Sequence, residues 1–494
     1  MQRRVAVAVV ACLAVASCST SGGDAKAEPK RTTTTAPSTT TTTAAPSTDA
    51  PSTSGDPLPD DVPDRTFAGL GDPRIDVSHE QVTIEAAPGE AEISGRAVLT
   101  LRSTVDEPLA DFTLDLRGPT VSELTVDGDD ARSTVEDGEL TIVPETPIPP
   151  DTDVEVAVTY AGVPDQTEFP GWGMPVGWQA DDHDGWFTMS EPDGTATWVP
   201  VNDHPSDKAS WTISLDVPEG VTGVANGRLQ GGKPKALEDG RERWTWVEEE
   251  PMASYLVLVA VGDYDLVTSD HGDIQVVRAF PKDLEDDQRA AFDPIEEILD
   301  FFSSQFGAYP NDDAGAIVVP TVLGLALESQ TRPIFGTDGV AGDSAPALPH
   351  ELAHQWFGDA VSPDEWSEVW LNEGFATYAD WMWDEHEGGR SVDDQARRTA
   401  SLDPASEGAV RDPQVAGTFG PSVYEGGALA LHALRKTVGD EVFFAIVRRW
   451  VAERNGTSAG TGDLIEIASD ESGQDLSGFF AEWLDQAPQP PLPD

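Results

Sequence analysis

The sequence predicts an α+β chain in which an antiparallel β domain precedes a mainly helical domain. Three observations carry that expectation. Apolar residues alternate with period two between about Asp72 and Asp265, they recur at helical spacing after about His271, and a stretch nearly devoid of them precedes both. The length of 494 residues suits two or three domains. The expected divisions are residues 1–17 as an export signal, 18–65 as a tether, 66–268 as the β domain and 269–494 as the helical domain.

The chain opens with Arg3 and Arg4, an apolar run from Val5 to Ala16, then Ser17-Cys18. Positive charge, a short apolar stretch and small residues before a cleavage point are the marks of an export signal, and the run is too short to span a bilayer permanently. Val15-Ala16-Ser17-Cys18 resembles a bacterial lipobox. Cys18 is therefore the expected lipidation site of a lipoprotein on the outer face of a bacterial cytoplasmic membrane. With Cys12 removed in the signal, Cys18 has no second thiol to pair with, so no intrachain disulfide is expected. From Ser19 to about Asp64 the chain is mostly Ser, Thr, Pro, Ala and Gly. Such a segment cannot bury enough apolar surface to offset the entropy of ordering, so it reads as an extended tether.

In the β domain, Phe112, Leu114 and Leu116 alternate with Thr113, Asp115 and Arg117, and Val154, Val156, Val158 and Tyr160 alternate with Asp153, Glu155, Ala157 and Thr159. Asp127-Gly128, Asp137-Gly138 and Asn226-Gly227 read as hairpin turns. The acid run Glu248–Glu250 reads as a solvated turn.

In the second domain, Asp293-Pro294-Ile295-Glu296 offers an N-cap, a first-turn proline and a capping-box glutamate. Ile295, Ile298, Leu299, Phe302 and Phe306 follow at helical spacing until Gly307. Further helices are expected over Val423–Thr437, Glu441–Arg454 and Leu476–Leu484. One short strand pair is expected, near Ala316–Val319 and Leu325–Ser329.

Composition bounds the function. Acidic residues number 89 against 30 basic, a formal net charge of −59, so a nucleic-acid or anionic-membrane surface is not an expected partner. Only 7 of the basic residues are Lys. That suits either a saline habitat or simply an acidic exported protein. Hydrophobic content of 38% with 14 Trp and 17 Phe excludes disorder throughout.

His350-Glu351-Leu352-Ala353-His354 places two imidazoles at i and i+4, on one face of a helix and within reach of one metal ion. A catalytic zinc site takes three protein ligands and keeps one position open. The third expected ligand is Glu373, with eighteen residues between it and His354, where Trp370 to Tyr378 reads as the start of another helix. One Zn2+ per chain is expected. Glu351 adjoins the first ligand, and its expected role is to take a proton from the attacking water and pass it to the leaving amine.

His350 to Tyr378 resembles the zinc signature of the aminopeptidase N family of gluzincin metallopeptidases. Four other segments resemble the family's landmarks, in the family's order: Met189-Ser190-Glu191, Trp198 to Lys208, Gly324-Leu325-Ala326-Leu327-Glu328-Ser329, and Val423-Tyr424-Glu425-Gly426-Gly427. The resemblance runs from about Asp72 to Leu492. It implies a saddle-like β domain followed by a thermolysin-like catalytic domain, with the cleft between them. It also implies that Glu191 and Glu328 hold a substrate's free α-amine and that Tyr424 stabilises the tetrahedral intermediate. The implied function is a zinc-dependent aminopeptidase acting on peptides with a free N-terminus. The rival readings are a zinc endopeptidase on the same site and a catalytically inactive peptide-binding lipoprotein. Three positions depart from the family pattern: Leu327 for Met, Ser329 for Asn and Gly426 for Lys. The last two bear on substrate preference. The chain ends soon after Phe479 to Leu484, which resembles the end of the family's catalytic domain. A short form without the C-terminal helical-repeat domain, open at one end of its cleft, is the expectation. The remaining histidines read as structural or surface residues, and Trp356, Phe357, Trp366 and Trp370 as core around the site.

Overall fold

A computed structural model of the chain describes residues 64, 66–67, 69–168, 175–340, 347–405, 408–411, 413 and 415–493. The expected signal, Cys18 and the tether before Asp64 lie outside the described residues. No helix among the described residues is long and apolar enough to cross a membrane.

The first domain is built on a nine-stranded sheet. Its middle runs Arg241–Ala253, Lys208–Pro218, Ile75–Glu85, Ile93–Ser103, Asp153–Gly162 and Thr120–Val126. Period-two patterning works as physics predicts: Val154, Val156, Val158 and Tyr160 are buried on the core face while Asp153 and Glu155 face solvent. One pairing departs from the antiparallel expectation, since Ile75–Glu85 runs parallel to Lys208–Pro218. A parallel neighbour needs a long crossover. Here the chain from Ala86 to Asp207 supplies it. A second sheet of five strands includes Pro175–Ala180, Trp186–Met189 and Val259–Gly262, and its strand Trp186–Met189 leads directly into Glu191.

Asp127-Gly128 and Asp137-Gly138 close tight hairpins with both residues left-handed, at φ 52° and 82° and at 53° and 94°. Asn226-Gly227 is not a hairpin. The strands on either side, Thr222–Ala225 and Arg228–Leu229, belong to different sheets, and Asn226 uses its side chain elsewhere. Nor is Glu248–Glu250 a solvated turn. It lies within the strand Arg241–Ala253, where Glu248 is buried and accepts from Thr331 Oγ1. Burial pushes the Glu248 carboxyl up to about 8.

The second domain has a five-stranded sheet where one strand pair was expected. Tyr264–His271, Ile274–Pro281, Asp313–Val318, Ile334–Phe335 and Ala326–Leu327 lie in that order, with Asp313–Val318 parallel to both its neighbours. Buried on both faces, such strands lack the alternation that marks a half-exposed strand. The expected division at 268/269 falls inside the strand Tyr264–His271. Nine helices follow or flank this sheet among the described residues: α1 (Asp286–Arg289), α2 (Ile295–Phe306), α3 (Leu348–His354), α4 (Trp370–His386), α5 (Val392–Ala400), α6 (Pro421–Val438), α7 (Asp440–Arg454), α8 (Thr461–Ser472) and α9 (Ser477–Leu484). The stop of α2 at Gly307 agrees with expectation, but its start does not. Asp293 is itself in helical conformation at the end of a 3-10 turn, so it makes no cap.

Candidate metal centre

Three side chains from two helices converge on one point. α3 carries His350 and His354 one turn apart, and Pro349 in its first turn costs no hydrogen bond there. α4 carries Glu373 in its first turn. Glu373 Oε2 lies 3.3 Å from His350 Nε2 and 3.5 Å from His354 Nε2. One ligand atom from each of the three lies within 4.8 Å of the others. The other ring nitrogens are already engaged: His350 Nδ1 lies 3.3 Å from Asp380 Oδ2, and His354 Nδ1 lies 3.0 Å from the Phe357 carbonyl oxygen. Such outer partners fix the tautomer and leave Nε2 as the ligating atom. Two imidazoles held from behind and one carboxylate fit a catalytic zinc centre with an open position.

Electrostatics agree with a cation-seeking site. Burial raises the carboxyl of Glu373, but the two imidazoles more than offset it and hold the group down at about 2. Around this triad lie further buried carboxylates. Glu191, Glu328 and Glu373 form one group within 4.8 Å, and Glu328, Glu351 and His354 form another. Burial pushes Glu351 up to about 8, against the pull of His350 and His354. Burial, then the neighbouring Glu328 and Glu373 charges, push Glu191 well up. Oε1 of Glu191 and Oε1 of Glu328 are both buried with no hydrogen-bond partner among the described residues. Orphaned buried carboxylate oxygens call for a partner, and like charges this close call for a positive one.

The third wall is α6. Tyr424 lies in its first turn, and its ring stacks on His350 with centroids 6.0 Å apart and planes 9° from parallel. Burial and the nearby carboxylates push its phenol well above the usual range, so the hydroxyl keeps its proton as a donor. Gly426, two residues on, has its lost side-chain space taken by other parts of the chain. A Cβ there would meet Val410 Cγ2 at 3.0 Å and Gln489 at 3.7 Å. Gln489 Nε2 donates to the Gly426 carbonyl at 2.8 Å. Leu327 and Ser329 flank Glu328; both are buried, and Ser329 Oγ has no partner among the described residues.

All seven expected site residues within the described chain thus lie close together, and Trp356, Phe357, Trp366 and Trp370 are core, as expected. Sequence reasoning missed Asp380. Its signal was available, since Asp380 follows Glu373 by seven residues and so shares its helix face. Gln355 was also missed. It donates to the Glu328 carbonyl at 3.3 Å and to Asp359 at 2.6 Å, and accepts from Thr331 N at 2.7 Å. Among the described residues, one further group away from this site mixes imidazole and carboxylate, Glu297 with His386 and Glu387, and it is exposed on the surface.

Comparison with known proteins places this geometry. The profile of the Peptidase M1 N-terminal domain matches residues 78–256, and that of the Peptidase family M1 domain matches residues 290–483. Among solved structures, a substrate-bound variant of the M1 zinc metallopeptidase from Deinococcus radiodurans, in complex with Tyr-Ser-Ala, is 30% identical. It superposes with a TM-score of 0.80, covering 88% of this chain and 99% of that one. The same Deinococcus protein in another crystal structure gives 29% identity and a TM-score of 0.81, with 88% and 99% covered. Curated relatives include Aminopeptidase 2 of Candida albicans, 27% identical over 60% of this chain and 34% of its own length. Another is Tricorn protease-interacting factor F2 of Thermoplasma volcanium, 26% identical over 62% and 41%. The chain spans 34% and 41% of the length of these two curated relatives.

Proposed function

Because the chain belongs to peptidase family M1, we propose that it is a zinc-dependent aminopeptidase that removes the N-terminal residue of peptides. The observation that carries this reading is the pair of orphaned carboxylate oxygens on Glu191 and Glu328, buried beside Glu373. A protonated α-amine supplies the positive charge that three clustered carboxylates require. Once that amine is held, only the first peptide bond reaches the reacting centre.

His350, His354 and Glu373 are the residues that hold the metal. Zinc held there would supply Lewis-acid polarisation of the scissile carbonyl and a lowered pKa, toward about 7, for a bound water. The chain's own groups do the rest. Glu351 accepts the proton of the attacking water and delivers it to the leaving nitrogen. Tyr424 donates its hydroxyl hydrogen to the oxygen on which negative charge develops. Asp380 keeps His350 in the ligating tautomer through Nδ1.

The proposal extends to location. Cys18 carries a lipid that anchors the enzyme at the outer face of a bacterial cytoplasmic membrane, and Cys18→Ala moves the protein from the membrane fraction to the soluble one. The activity is tested with an aminoacyl fluorogenic amide. Hydrolysis should stop on chelation and return with one equivalent of zinc per chain. Hydrolysis that survives a strong chelator with no zinc in the protein overturns the reading.

A further inference from the structure

The two helices that carry the ligands are separated by fifteen residues. α3 has seven residues and no side-chain cap. So short a helix depends on tertiary contacts. Its last turn runs into Gly358, which adopts φ +117°. A Cβ on Gly358 would meet the Asn372 amide at 3.1 Å and 3.2 Å, and His354 Nδ1 at 3.4 Å. Asn372, the residue before Glu373, is therefore seated directly against the exit of the helix that carries His354.

The contact is closed from the first domain. Tyr255 Oη donates to the Gly358 carbonyl at 3.0 Å and accepts from Asn372 Nδ2 at 3.2 Å. One buried oxygen thus bonds to the end of the α3 segment and to the start of α4. The Tyr255 ring is itself locked, edge-on to Trp366 with centroids 5.0 Å apart. The same short segment reaches the amine-side carboxylates. The Val257 carbonyl accepts from Ser190 Oγ, beside Glu191, at 2.6 Å. Asn226 Nδ2 bridges the carbonyls of Leu256 (2.9 Å) and Gln330 (2.7 Å), the latter two residues from Glu328. Lys208 of the first domain adds bonds to the carbonyls of Asp359 and Ala360 at 2.6 Å and 3.1 Å.

We propose that Tyr255 is a positioning residue of the metal centre: its hydroxyl fixes Glu373 relative to His354, and so makes zinc affinity depend on the β domain that carries Glu191. A metal site is sensitive to displacements of about 0.5 Å in its ligands, and loss of a supporting hydrogen bond costs about 10- to 100-fold in metal affinity. The inference rests on the zinc assignment above and is read out by binding, not by turnover.

The test is the zinc dissociation constant, by competition with a fluorescent chelator, for wild type, Tyr255→Phe, Asn372→Ala and the double variant. Tyr160→Phe is the control, since that phenol is buried in the same domain with no hydrogen-bond partner among the described residues. Tyr255→Phe should raise Kd about tenfold with an unchanged circular dichroism spectrum. The double variant should bind no more weakly than Asn372→Ala, and Tyr160→Phe should bind as wild type. A Tyr255→Phe value within twofold of wild type overturns the inference, and so do effects that multiply in the double variant. Should Tyr255→Phe not fold, Asn372→Ala is read alone, and a value within twofold of wild type overturns it equally. Absence of zinc binding by the wild type refutes the metal assignment and this inference together.

Discussion

Gly374 of α4 and Gly427 of α6 face each other so closely that a Cβ on Gly427 would stand 2.8 Å from the Gly374 Cα. The contact brings two backbones together one residue after the ligand Glu373 and three after Tyr424. It is why Tyr424 lies over His350 instead of a side chain's width away. The neighbouring atom is backbone, so a methyl group there must part the helices. Gly427→Ala should therefore cost about 1–3 kcal/mol in stability, the scale of overpacking, and lower kcat at least tenfold with zinc still bound. Denaturant unfolding and steady-state kinetics check both halves.

Tyr424→Phe removes one hydroxyl and leaves the ring stacked on His350. The expected loss is on the order of 10²–10³ in kcat, the scale of one oxyanion donor, with little change in KM. A loss below tenfold would mean that the hydroxyl does not reach the developing charge.

The chemistry of the metal centre was more legible in the sequence than its surroundings. Two histidines at i and i+4 and a glutamate at the start of the next helix are local patterns, and helix geometry alone turns them into a site. Glu191, Glu328 and Tyr424 carry no such pattern; they sit on a loop, a strand end and a distant helix. Only resemblance pointed to them, because tertiary packing makes them converge. Asn226-Gly227 has the composition of a hairpin turn, but its neighbours are claimed by different sheets. The strands Ile274–Pro281 and Asp313–Val318 are buried along most of their length, and they lose the period that would announce them. Tyr255 could not be singled out, since its two partners lie more than a hundred residues away.

Glu351→Gln keeps the three ligands and removes the base. The variant should bind one zinc per chain, by elemental analysis, and lose most of its turnover. Near-normal kcat in a zinc-loaded Glu351→Gln protein would remove Glu351 from the mechanism.

His432 on α6 predicts part of the acid sensitivity. Its ring is buried, with Nδ1 3.2 Å from Tyr378 Oη and Nε2 3.2 Å from Asp393 Oδ1. Burial lowers its pKa to about 4; Asp393 pulls the other way, and Arg435, Lys436 and Arg397 add to the lowering. Below the unfolded value of about 6.5, the unfolded chain takes up a proton that the folded chain refuses. Stability from this group is therefore intact above pH 6.5 and lost as pH falls toward 4. Between pH 7 and pH 5 the wild type should lose about 2 kcal/mol that His432→Gln does not. Urea unfolding of both proteins at the two pH values measures the difference. Equal losses would mean that His432 titrates alike in both states.

The account stands or falls on recognition of a free amine by carboxylates that do no metal chemistry. The direct measurement is kcat/KM for one fluorogenic amide with its α-amine free and acetylated, on wild type and on Glu328→Ala. The wild type should hydrolyse the free-amine substrate and scarcely touch the acetylated one. Glu328→Ala should lose about 10- to 100-fold on the free-amine substrate, the worth of a charge-assisted hydrogen bond, while zinc content stays at one per chain. Equal cleavage of both substrates by the wild type, with Glu328→Ala neutral, would contradict the aminopeptidase reading and leave an endopeptidase on the same metal centre.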